Sequence, residues 1–192
     1  MAEDRVFEED KIFGEDKVMG EDIGGQEDAL QEEGVDAQVY SVACPVTGEV
    51  IPLSQIPDST FASGMMGPGV GIRPEEGQIA APFDGEVSAL FDTKHAMGLT
   101  SDDGGVEVLI HIGIDTVELR GAYITALVAP GDHVKAGQPL LEVDLSKIRE
   151  AGYDTTVAVL VSNLYLFPRI RVVGYGRKEQ MEPLLECGKE TE

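Results

Sequence analysis

Val106-Glu107-Val108-Leu109-Ile110-His111-Ile112-Gly113-Ile114-Asp115 carries a β-branched aliphatic residue at every second position. Successive side chains of a strand point to opposite faces, so Val106, Val108, Ile110, Ile112 and Ile114 share one face, which this pattern predicts to be core. The other face carries Glu107, Leu109, His111, Gly113 and Asp115. His111 is thereby turned outward, next to a glycine that leaves room for an approaching group.

The preceding segment, roughly Leu90 to Thr100, reads as the neighbouring strand and carries His95, with Thr93 on the same face. A three-residue loop, Asp102-Asp103-Gly104, closed by Ser101 and Gly105, is a favoured hairpin form and sets His95 directly opposite His111. Opposed Cβ atoms lie about 5 Å apart, so two imidazoles could share one bound group. From pattern alone, two histidines decorating a half-exposed strand is the simpler reading. The third histidine, His133 in Gly131-Asp132-His133-Val134, reads as a surface turn residue.

A neutral imidazole is a good nucleophile toward phosphorus near neutral pH. Phosphoryl transfer then depends on positioning and on donors for the spread-out charge of the transition state. In that chemistry His111 is the acceptor, His95 donates to the phosphoryl oxygens and Thr93 holds the His95 tautomer. Leu109 and an apolar rim would exclude water from a hydrolysable phosphoramidate. Gly113 and Asp115 are candidates for supporting roles, although Asp115 could equally bound the strand end.

Outward from this hairpin, turn signals recur at Pro45 to Gly48, Pro57-Asp58, Gly67 to Gly69, Pro82 to Gly85, Pro130 to Asp132 and Ala136-Gly137. That spacing predicts an all-β antiparallel sandwich or barrel, with Leu145 to Ala151 as a short connecting helix ended by Gly152. A faint internal echo links Gly77 to Val87 with Gly131 to Leu141, each reading as strand, tight turn, strand, and points to a barrel-sandwich hybrid. Biotin and lipoyl carriers share such pairs but need a lysine at an exposed hairpin tip, and Lys94 and Lys135 stand in other contexts.

Residues 1–39 form a separate zone, with 14 acids against Arg5, Lys11 and Lys17, and an Glu-Asp pair recurring every six residues from Glu9 to Asp28. So few apolar residues cannot bury a core, and the zone is read as a disordered acidic tail, with residues 40–192 forming one domain. The chain of 192 residues carries a net charge of −22, which repels nucleic-acid backbones and anionic membrane surfaces alike. No apolar run reaches the length of a spanning helix and the acidic start is unlike a signal peptide, so a cytoplasmic location without membrane insertion is expected. Cys44 and Cys187 are expected to be free thiols in a reducing compartment, neither in an activating context. A zinc hydrolase built on His95 and His111 would need a third protein ligand, and these strands offer no further histidine.

The stretch Thr93-Lys94-His95-Ala96-Met97-Gly98-Leu99, followed by Leu109-Ile110-His111-Ile112-Gly113-Ile114-Asp115-Thr116-Val117-Glu118-Leu119, resembles the enzyme IIA component of the glucose family of the phosphoenolpyruvate-dependent sugar phosphotransferase system. The likeness runs from about Pro45 to Asn163 and takes in Phe61-Ala62, Gly67 to Gly71, Ala81-Pro82 and Asp144-Leu145. It implies an antiparallel β-sandwich of the barrel-sandwich hybrid type and a phosphohistidine on Nε2 of His111, supported by His95 and Thr93. It implies the histidine phosphocarrier protein as donor and a cysteine of an enzyme IIB domain, on another polypeptide, as acceptor. No cofactor is required. Zinc held by His95, His111 and a partner's carboxylate is the one metal site the likeness suggests, and partner binding that depends on phosphorylation would be compatible. Leu164 to Arg169 departs from the family's usual sequence, and Ala158 stands near where a proline is common.

Overall fold

In the computed structural model, residues 38–189 are described, and the expected disordered tail lies outside them except at its end. Gln38 and Val39, assigned to the tail, instead begin the first strand and pair with Lys189 and Gly188. The described residues fall within one compact unit.

The chain builds β1 (Gln38–Ala43), β2 (Gly48–Pro52), α1 (Ser59–Ala62), β3 (Gly69–Pro74), β4 (Gln78–Ala80), β5 (Gly85–Leu90), β6 (Ala96–Ser101) and β7 (Glu107–Ile112). There follow β8 (Ile124–Ala126), β9 (His133–Val134), β10 (Pro139–Val143), α2 (Leu145–Glu150), β11 (Val157–Val161), β12 (Arg169–Val172), β13 (Gly176–Lys178) and β14 (Pro183–Lys189). One sheet runs β13-β2-β3-β11-β7-β6-β5-β9, and two smaller ones run β1-β14-β12 and β4-β10-β8. Every pairing is antiparallel, as the all-β reading requires. α2 falls where the sequence puts its connector, capped by Asp144 and followed by Gly152 at φ +90°.

The two echoing segments pair with each other, β4 against β10 and β5 against β9. Their turns interlock as well: Gly137 donates to the Ala81 carbonyl, and Asp84 accepts from both the Ala136 amide and the Lys135 ammonium. Lys135 is thus tied down beside Asp84, unlike a carrier lysine at a free tip.

One core gathers inward residues from all three sheets, among them Val42, Ile72, Ile79, Leu99, Ile110, Leu141, Val159 and Leu184. Burying each such side chain contributes roughly 1.5–3 kcal/mol relative to exposure. β7 follows the expected alternation through Val108, Ile110 and Ile112, but Ile114 does not. Gly113 takes φ +69°, turning the chain out of the strand, and Ile114 joins a second cluster of Ile51, Ile56, Phe61, Ala158 and Leu160 on the opposite face. The outward face of β7 is therefore floored by its own small apolar cluster, and His111 rises at its border.

The hairpin register also differs from expectation. Ser101 pairs with Val106 through a 2.9 Å bond, leaving a four-residue loop in which Gly104 and Gly105 both have positive φ. Pairing then sets Ala96, not His95, opposite His111. Nor is Leu90 to Thr100 one strand: β5 ends at Leu90, and a turn over residues 91–95 leads into β6.

Candidate functional site

That turn is what brings the histidines together. Lys94 adopts left-handed backbone at φ +56°, and His95 emerges from it released from strand alternation while its carbonyl still accepts from Ile112 N at 2.7 Å. The two imidazole rings stand 5.1 Å apart, centroid to centroid, nearly perpendicular at 79°. Small residues flank His111 on both neighbouring strands, Ala96 on β6 and Ala158 on β11. Larger side chains there would compete with the ring for space.

Both rings are held at Nδ1. His111 Nδ1 lies 2.9 Å from the Gly113 carbonyl, which can only accept, so Nδ1 carries the proton and Nε2 presents a lone pair. His95 Nδ1 lies 2.5 Å from Thr93 Oγ1. If that hydroxyl donates, as Thr93 makes no other side-chain bond among the described residues, His95 keeps its proton on Nε2 and becomes a donor. One lone pair and one N–H then belong to two adjacent rings.

Gly113 is fixed by its surroundings. A Cβ there would sit 2.5 Å from the Thr116 methyl and 2.7 Å from the Asp154 carbonyl. Thr116, fully buried, donates its hydroxyl to the Ile112 carbonyl, and Ile114 N bonds the Asp154 carbonyl at 3.0 Å. The carbonyl that sets the His111 tautomer is thereby clamped on both sides.

The hollow in front of His111 has a volume of about 260 Å³ and is lined by Asp58, Thr60, Phe61, Met66, Ile114, Asp115 and Val117. Asp58 caps α1, accepting from the Thr60 and Phe61 amides at 2.8 and 3.1 Å. The cap places Phe61 edge-on to His111, 4.9 Å between centroids, while Phe91 meets His95 at 5.2 Å. Burial holds the His111 pKa below its ordinary 6.5, helped by the neighbouring His95 and opposed by the Gly113 carbonyl, Asp58 and Asp115. Burial likewise lowers His95. Both rings are consequently neutral at pH 7, the state a nucleophile requires.

The structure thus brings His95, His111, Thr93 and Gly113 together and sets Asp115 at the rim. Phe61, Phe91 and Asp58 also belong to the site; the sequence reading assigned them no role, although the N-cap pattern Pro57-Asp58-Ser59 before Phe61 was a usable signal. His133 lies apart on β9, its Nε2 2.8 Å from Asp102. Cys44 and Cys187 are buried, and burial raises both thiols, Cys187 to about 11, so neither is an activated nucleophile. Among the described residues, no group of three or more His, Cys, Asp or Glu side chains converges as a metal site. Among the described residues, His95 and His111 offer two imidazoles and no third protein ligand, which leaves the zinc hydrolase without a complete centre.

The family model of the phosphoenolpyruvate-dependent sugar phosphotransferase system, EIIA 1, matches residues 40–166. The chain belongs to that family. It is a phosphotransferase component of the EIIA type. Among its relatives are a beta-glucoside-specific EIIBCA component of Bacillus subtilis, 44% identical over 79% of this chain and 24% of the relative. A glucoside-specific EIICBA component of Staphylococcus carnosus is 45% identical over 75% of this chain and 20% of the relative. The chain therefore spans only about a quarter or less of these fused relatives. The solved glucose permease IIA from Mycoplasma capricolum superposes with a TM-score of 0.73 at 30% identity, covering 78% of this chain and 96% of that one. The EIIA fold is thus shared across the sandwich. No helix of the described residues is long and apolar enough to cross a membrane.

Proposed function

We propose that His111 accepts a phosphoryl group on Nε2 from the phosphohistidine of a histidine phosphocarrier protein. It then passes the group to a cysteine thiolate of an enzyme IIB domain. The observation that carries this reading is the 2.9 Å contact between His111 Nδ1 and the Gly113 carbonyl, which leaves the Nε2 lone pair facing the hollow. As the new N–P bond forms, the donor's N–P bond breaks, and Nδ1 keeps its proton throughout, donating it to the Gly113 carbonyl. On the onward step the thiolate sulfur takes the phosphorus and Nε2 regains its lone pair.

His95 lies beside the incoming group, and its Nε2–H donates to the phosphoryl oxygens while Thr93 holds that tautomer. Each charge-assisted bond of this kind contributes roughly 1.5–3 kcal/mol. Phe61, Phe91 and Val117 make the apolar border that excludes water when a partner docks. Asp58 and Asp115 make the hollow's edge negative, which suits partners presenting a positive side chain there. The same face, once phosphorylated, gains negative charge and would bind regulatory partners differently. Zinc is not needed for transfer; where it binds, His95 and His111 supply two ligands and a partner's carboxylate a third. These partners place the domain at the cytoplasmic side of the membrane.

Incubation with phosphoenolpyruvate, enzyme I and the phosphocarrier tests this. An acid-labile gain of one phosphoryl group that vanishes in His111→Ala is expected, with His95→Ala still accepting but passing the group on poorly. A His95→Ala protein that takes no phosphate would require the two roles to be exchanged.

A further inference from the structure

Met65 and Met66 stand side by side in the loop between α1 and β3, with 81% and 42% of their surface exposed. The loop is set rather than slack. Gly64 and Gly67 have positive φ, Gly67 N donates to the Gly64 carbonyl at 3.1 Å, and a Cβ on Gly67 would lie 2.6 Å from the Val161 carbonyl. Met66 is thereby held at the lip of the hollow that contains His111. Of the other described methionines, Met97 is fully buried and Met181 lies before β14, 36% exposed and outside this hollow.

A thioether this accessible reacts with two-electron oxidants, and its sulfoxide is polar where the thioether was apolar. We propose that Met66 is a peroxide-sensitive modification site whose oxidation weakens docking of the phosphoryl partner. The Sδ lone pair attacks one oxygen of hydrogen peroxide; the S–O bond forms as the O–O bond breaks. The second oxygen leaves as hydroxide and takes the proton from the oxygen now on sulfur, giving sulfoxide and water, with two electrons passing from sulfur to peroxide. The sulfoxide replaces the apolar contact that the thioether would make with a docked partner, so association suffers while the histidine pair is untouched. This rests on the phosphocarrier reading given above.

The test treats the full chain with hydrogen peroxide until peptide mapping shows one added oxygen on Met66. Steady-state phosphorylation by the phosphocarrier is then measured. The expected result is a roughly tenfold rise in KM for the phosphocarrier with kcat little changed, reversed by methionine sulfoxide reductase. Each variant is compared with its own untreated state: Met66→Leu should lose the peroxide effect and Met65→Leu should keep it. An unchanged KM after oxidation overturns the proposal, as does a Met66→Leu protein that remains equally sensitive. If untreated protein accepts no phosphoryl group, the phosphocarrier reading fails and this proposal with it; if both forms accept equally well, only this proposal falls.

Discussion

Gly113→Ala is the change that separates backbone support from chemistry at His111. Gly113 has φ +69°, and an alanine in left-handed backbone costs roughly 1–2 kcal/mol. The added Cβ would also meet the Thr116 methyl at 2.5 Å and the Asp154 carbonyl at 2.7 Å, a clash of the overpacking kind that costs about 1–3 kcal/mol. Together these predict a destabilisation of about 2–5 kcal/mol, read by urea denaturation. Relief of the clash moves the Gly113 carbonyl, the acceptor for His111 Nδ1–H. Losing a bond of about 1–1.5 kcal/mol lets the Nε2–H tautomer compete, and phosphorylation should slow roughly tenfold. The rate is measured on protein kept cold enough to remain folded, with nitrogen NMR reporting the imidazole tautomer. A variant that folds less stably yet phosphorylates at the parent rate with an unchanged tautomer would refute the reasoning.

Thr93→Val removes the hydroxyl at nearly constant shape; acceptance on His111 should persist, while onward transfer to the acceptor cysteine slows by about tenfold, as single-turnover kinetics would show. Ala158→Leu crowds a fully buried position opposite His111 and should lower stability by about 1–3 kcal/mol and slow phosphorylation, checked by denaturation and rate together. The pKa values of His95 and His111 are lower in the folded protein than the free 6.5, so the unfolded chain binds protons first as pH falls. Their contribution to stability should be complete above about pH 6.5 and diminish as the pH falls below it, and the phosphorylation rate should hold its plateau to a pH below 6.5. His95→Gln and His111→Gln should each flatten the stability profile, and His95→Gln should alter the rate profile while His111→Gln abolishes phosphorylation.

The all-β class, the helix at α2 and the strand-turn-strand character of the two echoing segments were legible because alternation and turn residues encode them locally. The pairing of His95 with His111 was legible too, but its route was not. Two adjacent glycines, Gly104 and Gly105, both suit left-handed backbone, and nothing local says which of them closes the loop. The break between β5 and β6 was hidden because Lys94 carries no glycine signal for its positive φ. One residue of register and one unmarked turn offset each other, so the rings meet although neither intermediate step was as expected. Ile114 was misplaced for the complementary reason: alternation continues on paper past Gly113, while the backbone turns there. The second apolar cluster joins Ile51, Phe61 and Leu160 from distant segments, and no periodicity within a single segment reveals such a contact.

The most direct test of the central claim is phosphorus and nitrogen NMR on the phosphorylated chain. Phosphorus coupled to Nε2 of His111, with the Nδ1 proton retained against the Gly113 carbonyl, is the predicted result. Phosphorus on Nδ1 of His111, or on His95, would contradict it.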